Sequence, residues 1–221
     1  MIIVGQSREG LNASELRALN SLLKEQSDEQ ELTEVISILA TRLANELIPI
    51  EGGRSVRLMG IAHDFDCFCD PIYNRLGAHD GKIELHCIWG SRCRGLNDFQ
   101  TYIATEYVQN KNQHCDLLCI ATAVLTDVEL LETLLDRSNE LYGDHAHTHI
   151  LCAIASHEVR KTARTLGHTL YSLYDVAEYG KGYHPDVYGR YLSGLPSQRA
   201  KSHYFPSNVA DRMSSLKKYE I

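Results

Sequence analysis

The sequence has few of the features that direct a chain into a membrane or out of the cell. No apolar run approaches the length of a transmembrane helix, and the first residues lack the basic-then-apolar layout of a signal peptide. The seven cysteines are an odd number, and no two of them are separated by two residues. The sequence therefore indicates neither a disulfide framework nor a dithiol redox site. We expect reduced thiols and a cytoplasmic location.

Motifs that identify common enzyme classes are also missing. The sequence contains no GxSxG nucleophile elbow, no Walker phosphate loop and no dinucleotide-binding glycine fingerprint. Basic residues are outnumbered, with 22 Lys and Arg against 29 Asp and Glu and a net charge of −7. This balance disfavours non-specific binding to nucleic acid, although it leaves room for a local basic pocket. We expect neither a nucleic-acid partner nor a membrane partner.

What the sequence does contain is enough apolar residues for one core. Hydrophobic residues make up 43% of the 221 residues and charged residues 23%, which is typical of a globular chain. We predict a single domain over residues 1–221. Within it, residues 1–50 form an N-terminal helical hairpin, residues 90–113 a hood that projects away from the sheet, and residues 176–221 a C-terminal tail.

Short apolar runs alternate with segments of helical period between His114 and Asp175. This alternation is typical of consecutive β-α-β units, in which the strands lie parallel and ligands bind at their carboxyl ends. The fold class that it predicts is α/β, with a mainly parallel sheet flanked by helices. The turns after the strands, at residues 122–127, at residues 155–158 and from Asp175 onward, are therefore the places to look for function.

Capping signals predict where the helices of this region begin and end. Thr126 and Glu129 have the spacing of a capping box, which predicts that the first helix begins at Asp127. Gly143 predicts its end, and Ser156 predicts the cap of the second helix. Elsewhere, apolar runs predict strands at residues 55–62 and 82–89.

Two stretches of this region carry a resemblance to a known family. HILCAIASHEVRKTAR is similar to a strand and the turn after it in the type I phosphoribosyltransferases, and LYSLYDVAEYGKGYHPD is similar to their strand that ends in Asp before the base-binding loop. The chain most closely resembles the uracil phosphoribosyltransferases. On this alignment Asp175, Gly182 and Tyr183 match family positions, and Arg92 matches an arginine of the hood.

The resemblance implies a nucleobase or nucleotide ligand, a homo-oligomer and Mg²⁺ as a cofactor. One loop departs from the family pattern, however. The family reads Asp-Pro-Met-Leu-Ala-Thr-Gly-Gly where this chain reads LCIATAVLTDVE, and no glycine occurs from Leu96 to Tyr142. Backbone that closes around a phosphate usually uses glycine. Thr122, Thr126 and the start of the next helix remain as anion donors, and Asp127 opposes them.

The turn after the first predicted strand is acidic, whereas the family has a basic, compact turn there. Asp64, Asp66 and Asp70 lie within it, and like charges a few ångströms apart repel by about 1 to 4 kcal/mol. Asp64 and Asp66 could hold Mg²⁺, which would bridge them to phosphates. The plainer alternative is a solvated helix start.

Three hypotheses follow from the sequence. In the first, a protein of the phosphoribosyltransferase fold has lost or altered its transferase activity and binds a nucleobase or nucleotide in a regulatory role. In the second, a divergent Mg²⁺-dependent enzyme makes UMP from uracil and phosphoribosyl pyrophosphate. In the third, the chain is a structural protein with an empty crevice. The residues predicted to bind the ligand are Arg92, Thr122, Thr126, Asp127, Asp175, Gly182 and Tyr183; those predicted to bind metal are Asp64 and Asp66.

Overall fold

The computed structural model describes residues 5–7, 10–23, 29–47, 55–77, 83–94, 99–110, 115–143, 147–176 and 206–216. The strands of this part are β1 (Gly5–Ser7), β2 (Val56–Ile61), β3 (Ile83–Arg94), β4 (Phe99–Val108), β5 (Leu117–Ala121), β6 (Val124–Leu125), β7 (Thr148–Ser156) and β8 (Thr169–Val176). The α-helices are α1 (Ala13–Leu23), α2 (Glu29–Leu47), α3 (Asp70–Gly77), α4 (Val128–Tyr142), α5 (His157–Thr165) and α6 (Ser207–Leu216), and a π-helical turn at Phe65–Cys69 precedes α3. None of the described helices is both long enough and apolar enough to cross a lipid bilayer.

All eight strands join one mixed sheet in the order β1-β8-β7-β5-β2-β3-β4, with β6 paired to β7. The strands from β8 to β3 in that order are parallel, and β1 and β4 are antiparallel to the strands beside them. The predicted α/β class with a mainly parallel sheet is confirmed. The strands β5 and β7 are buried on both faces, as parallel strands between helical layers are.

The chain reverses its direction of travel across the sheet at β2. From β2 it crosses to β3 on one side, and the later strands β5, β7 and β8 follow on the other. Right-handed crossovers therefore place α3 on one face of the sheet and α4 and α5 on the other. The carboxyl ends of β2 and β5 lie where the direction reverses, and this switch point is where such sheets bind ligands.

The caps of α4 differ in part from the predicted ones. Asp127 itself is the N-cap and accepts a hydrogen bond from the Glu129 backbone N–H at 3.0 Å. The predicted Thr126–Glu129 box is therefore wrong, because the Glu129 carboxylate accepts the backbone N–H of Thr101 on β4 instead, at 3.1 Å. Gly143 ends the helix as predicted, with φ at +71°.

The cap predicted at Ser156 is confirmed, and Asn12 and Glu15 form a capping box at α1. The Ser156 hydroxyl accepts the Val159 N–H at 3.1 Å at the start of α5. At the start of α1, Asn12 Oδ1 accepts the Glu15 N–H at 2.9 Å, and Glu15 Oε2 accepts the Asn12 N–H at 2.8 Å. The N-terminal helices α1 and α2 pack on each other, and α2 also packs on α3 and against β7 and β8.

Of the segment predicted to be a projecting hood, residues 90–113, the structure describes residues 90–94 and 99–110, which include the end of β3 and all of β4. β3 continues to Arg94 and pairs antiparallel with β4 from Arg94↔Phe99 back to His86↔Val108. The register shifts between Trp89 and Gly90. A bulge of this kind lets a long hairpin bend and still remain hydrogen-bonded. β2 pairs with β3 only as far as Ile88, so residues 90–94 of β3 pair with β4 alone, past the end of β2.

Candidate functional site

A buried carboxylate occupies the switch point between β2 and β5. Asp64 follows β2, is 1% exposed, and accepts two hydrogen bonds through Oδ2. One comes from the backbone N–H of Ala123 at 2.6 Å and the other from the Thr122 hydroxyl at 3.0 Å. Of the residues predicted to bind metal and ligand, the structure thus brings Asp64 and Thr122 together.

The backbone after β5 creates the donors that Asp64 uses. The Thr122 N–H donates to Leu151 O on β7 at 3.1 Å, but the next residue leaves the ladder, and the Ala123 N–H turns towards Asp64. The Ala123 carbonyl still accepts from β7, through the N–H of Ala153 at 3.0 Å. The Ala123 N–H is therefore released from the strand pairing at this bend, and the Asp64 carboxylate accepts it.

The cysteines beside this site are buried thiols. Burial raises the pKa of Cys69 and of Cys87 well above the usual thiol value, and the charge of Asp64 raises both further. The Cys69 Sγ contacts Ala121 O at 3.6 Å, and Cys67 Sγ contacts Asp64 O at 3.4 Å. Because a thiol must ionise to attack or to bind a metal, these side chains act here as packing groups.

The acidic turn continues into contacts with the C-terminal helix. Asp66 accepts the backbone N–H of Ser207 at 2.8 Å and thereby caps α6. Asp70 accepts a hydrogen bond from Asn208 Nδ2 at 2.7 Å. Burial raises the pKa of Asp70 to about 6; the bond from Asn208 lowers it and the charge of Asp66 raises it. This turn therefore anchors α6 beside the switch point.

These contacts do not suit the Mg²⁺ site predicted at Asp64 and Asp66. Asp64 is directed inward to the bend after β5, whereas Asp66 is directed to α6, so the two carboxylates do not converge on one ion. No group of three His, Cys, Asp or Glu side chains arranged to hold a metal occurs in the described part of the chain.

A second carboxylate, Asp175, lies near the carboxyl end of β8 and is held by an arginine. Arg160 of α5 donates to it through Nε at 2.6 Å and through Nη2 at 2.8 Å. The Ser172 hydroxyl donates to the same carboxylate at 2.5 Å. A bidentate pair of this kind fixes both side chains. Sequence reasoning predicted Asp175 but missed Arg160, whose only signal was its place one turn after the cap of α5.

The remaining predicted ligand residues are placed as follows. Thr126 lies half-buried just before α4, and Asp127 is committed to capping that helix. Arg92 lies in β3 opposite Thr101 of β4, past the end of β2. Gly182 and Tyr183 lie outside the described residues.

A buried polar network lies at the other end of α4, and sequence reasoning did not find it. Glu106 of β4 accepts from Arg137 of α4 at 2.9 Å and lies 3.2 Å from His86 Nε2. The hydroxyl of Tyr142 lies 2.9 Å from His86 Nδ1. Arg57 of β2 lies over the Tyr142 ring, 3.9 Å from its centroid. The network ties β2, β3 and β4 to α4, and nothing in the local pattern marks these residues as partners.

Comparisons with known proteins identify relatives by structure and not by sequence. No family model matches the chain, and no curated protein is significantly similar to it. The AQ2163 protein from Aquifex aeolicus is similar in structure, with a TM-score of 0.61 and 14% identity over 92% of this chain and 99% of that one. At this identity the likeness shows a shared fold alone.

Phosphoribosyltransferases are also among the similar solved structures, at low identity. A hypoxanthine phosphoribosyltransferase from Staphylococcus aureus aligns with 57% of this chain and 66% of its own length, at 14% identity and a TM-score of 0.45. The hypoxanthine-guanine phosphoribosyltransferase of L. donovani aligns with 69% of this chain and 82% of its own, at 10% identity and the same TM-score, 0.45.

Proposed function

We propose that this chain is a phosphoribosyltransferase-fold protein related to the uracil phosphoribosyltransferases, in which the transferase reaction is lost or altered. In this proposal the crevice binds a nucleobase or nucleotide in a regulatory role. The observation that carries the proposal is the carboxylate of Asp64, which is buried at the switch point. It accepts the hydrogen bonds of the Thr122 hydroxyl and the Ala123 N–H.

Asp64 competes directly with any phosphate that would approach the bend after β5. The Ala123 N–H and the Thr122 hydroxyl are the groups at this bend that could donate to an anion, and both already donate to a carboxylate. A phosphate placed there would also face that carboxylate at close range. Two unit charges 4 Å apart repel by about 1 kcal/mol in water and by about 4 kcal/mol near a protein surface.

Two further carboxylates support the same conclusion. Asp127 caps α4, so the helix N-terminus that could receive a phosphate already holds a negative group. Asp175 is bound by Arg160 through two hydrogen bonds, so a ligand hydroxyl would have to compete with a guanidinium for it. A site that already contains these carboxylates repels a sugar pyrophosphate and favours a ligand with little negative charge.

The first test is the reaction itself. The protein is incubated with uracil, phosphoribosyl pyrophosphate and Mg²⁺, and UMP is followed by chromatography beside an active uracil phosphoribosyltransferase. We expect no UMP above the protein-free blank. UMP that accumulates in proportion to protein concentration would contradict the proposed loss of activity.

The second test removes the charge of Asp64. The Asp64→Asn variant keeps an acceptor for the Ala123 N–H and loses the repulsion, so it should bind inorganic pyrophosphate about tenfold or more tightly than the wild type, because 1.4 kcal/mol corresponds to tenfold. Titration calorimetry measures both affinities. Asp66→Asn is the matched control, since it removes the same charge from the α6 cap. Equal pyrophosphate affinity in the wild type and Asp64→Asn would remove the main support for the proposal.

The regulatory part of the proposal is tested by binding of uracil and UMP to the wild type without phosphoribosyl pyrophosphate. Calorimetry should detect at least one of them with a dissociation constant below about 1 mM. If neither ligand binds in that range, the crevice does not serve as a nucleobase or nucleotide sensor.

A further inference from the structure

A groove of about 480 Å³ runs along the outer side of α5, next to the start of β8. Its lining is dominated by nitrogen-bearing side chains, those of His157, Arg160, Lys161, Arg164 and His168. The groove is separate from the switch point, since neither Asp64 nor Thr122 contributes to the lining. Its volume lies within the range of small-molecule sites, roughly 300 to 1,000 Å³.

The groove is positively charged, whereas the whole chain carries a net negative charge. Lys161 and Arg164 are exposed, and neither forms an ion pair with another residue in the segments that the structure describes. Glu158 is the one acidic residue of α5, and it does not line the groove. Because the chain as a whole carries a net charge of −7, this is a local patch of positive potential and not a consequence of overall composition.

Two of the cations lie side by side. Lys161 and Arg164 are three residues apart on a helix, which places their Cβ atoms about 5–6 Å from each other on one face. Like charges at this spacing disfavour the helix by a few tenths of a kcal/mol. A ligand with several negative charges would contact both side chains at once and relieve their repulsion.

Arg160 gives the groove a fixed element. Its Nε and Nη2 are bound to Asp175, and Nη1 reaches only Leu170 O, at 3.5 Å. One N–H of Nη1 therefore has no acceptor among the described residues, and the Arg160 side chain is 37% exposed. A guanidinium already held in place donates to a ligand with less loss of side-chain entropy than a mobile one does.

We propose that this groove binds a small molecule that carries two or more phosphate groups. Lys161 and Arg164 supply the charge, and the free N–H of Arg160 supplies an oriented hydrogen bond. The bounded volume, and the two cations of the groove that are unpaired among the described residues, fit a compact polyphosphate better than a nucleic-acid strand, for which a longer row of phosphate contacts provides the affinity. The phosphates could belong to a nucleotide or to a phosphate compound without a base.

The test titrates the full chain with inorganic triphosphate and, separately, with UTP and GTP in titration calorimetry at about 50 mM salt. Inorganic triphosphate should bind with a dissociation constant below about 1 mM, and binding should weaken as salt is raised. In Lys161→Ala/Arg164→Ala the affinity should fall at least tenfold. Equal affinities for triphosphate and the nucleotides would assign recognition to the phosphates alone, and tighter binding of one nucleotide would add a contact to its base; either result supports the groove.

The matched control is Arg17→Ala/Arg75→Ala, which removes two exposed arginines from α1 and α3 and changes the net charge by the same amount. It should bind triphosphate as the wild type does. All four side chains are exposed, so both double variants should fold, and circular dichroism checks this. The proposal is overturned by no triphosphate binding, by equal losses in the two double variants, or by single-stranded RNA that binds through Lys161 and Arg164 where triphosphate does not.

Discussion

The three carboxylates of the acidic turn after β2 lie in three different environments. Asp64 is buried and bound to the bend after β5, Asp66 caps α6, and Asp70 is half-buried against Asn208. Their sequence neighbourhood is nearly the same, yet their chemistry differs. A carboxylate is governed by its solvation and its hydrogen-bond donors, and both of these come from distant parts of the chain.

Asp70 is predicted to lower stability at neutral pH. Burial raises its pKa from 3.8 to about 6, so between these values the folded state keeps a proton that the unfolded state has lost. Stability that is present at acid pH is therefore lost as pH rises through this window. Asp70→Asn is neutral at every pH and keeps an acceptor for Asn208. It should raise the free energy of unfolding at pH 7.5 by about 1 kcal/mol after allowance for solvent screening, and by much less at pH 4.

Urea denaturation at the two pH values measures this difference. Asp136→Asn removes a carboxylate from the exposed side of α4 and should change stability by less than about 0.5 kcal/mol. A variant Asp70→Asn that is less stable than the wild type at pH 7.5 would show that the ionised carboxylate is favourable in its place beside α6.

At the scale of the elements, the switch point depends on how closely the π-helical turn approaches β2. Gly60 lies in β2 under this turn, and a Cβ on it would overlap the Sγ of Cys69 and lie 3.1 Å from the Phe65 ring. Both neighbours are fully buried, so an added Cβ would force one of them or the backbone to shift. Because glycine has no Cβ, the π-helical turn packs directly against β2 at Gly60. Asp64 lies at the start of that turn, and its carboxylate contacts the bend after β5.

Gly60→Ala should destabilise the protein by about 1–3 kcal/mol, because overpacking in a well-filled core forces side chains or backbone to shift. The urea midpoint measures the loss. Gly77→Ala is the matched control: its Cβ would meet nothing nearer than Ile83 Cδ1 at 3.8 Å, and alanine favours the helix. Gly77→Ala should be neutral or stabilising by up to about 1 kcal/mol. Equal effects of the two substitutions would mean that the turn can shift without cost.

At the scale of the whole molecule, acid should weaken the fold through two buried histidines and a half-buried one. Burial lowers the pKa of His86, His149 and His168. The arrangement around His86 fits a neutral ring, in which Nε2–H donates to Glu106 and Nδ1 accepts from the Tyr142 hydroxyl. Each such histidine stabilises the fold above its unfolded pKa of about 6.5, and this stability is lost as pH falls through its folded pKa.

Lowering the pH from 7.5 to 5.5 should therefore reduce the free energy of unfolding, measured by urea denaturation. The loss should be larger in Asp70→Asn, because the wild-type carboxyl gains a stabilising proton over the same interval. His168→Gln should flatten the dependence, and His157→Gln, which replaces an exposed histidine, is its control. Stability that is unchanged or higher at pH 5.5 would contradict the neutral histidines.

Much of the architecture could be predicted because its causes are local. Asn12, Ser156 and Gly143 act on neighbours within four residues, and the alternation of apolar and helical segments reports directly on β-α-β units. The prediction at Thr126 and Glu129 was wrong because Asp127 is an equally good cap one residue later, and β4 offered Glu129 another donor. The strands of the β3–β4 hairpin could not be predicted from the composition of residues 90–113, because an edge strand is as polar as a loop.

The sequence by itself determined the class of sheet, the caps at Ser156 and Gly143, and the absence of glycine from the turn after β5, since each of these depends on residues close together along the chain. Only the tertiary structure decided what fills the switch point. Asp64 and Ala123 are 59 residues apart, and Asp66 and Ser207 are 141 apart. No local pattern says which of several carboxylates will be buried against a given N–H, because that choice depends on how strands and helices distant in sequence pack together.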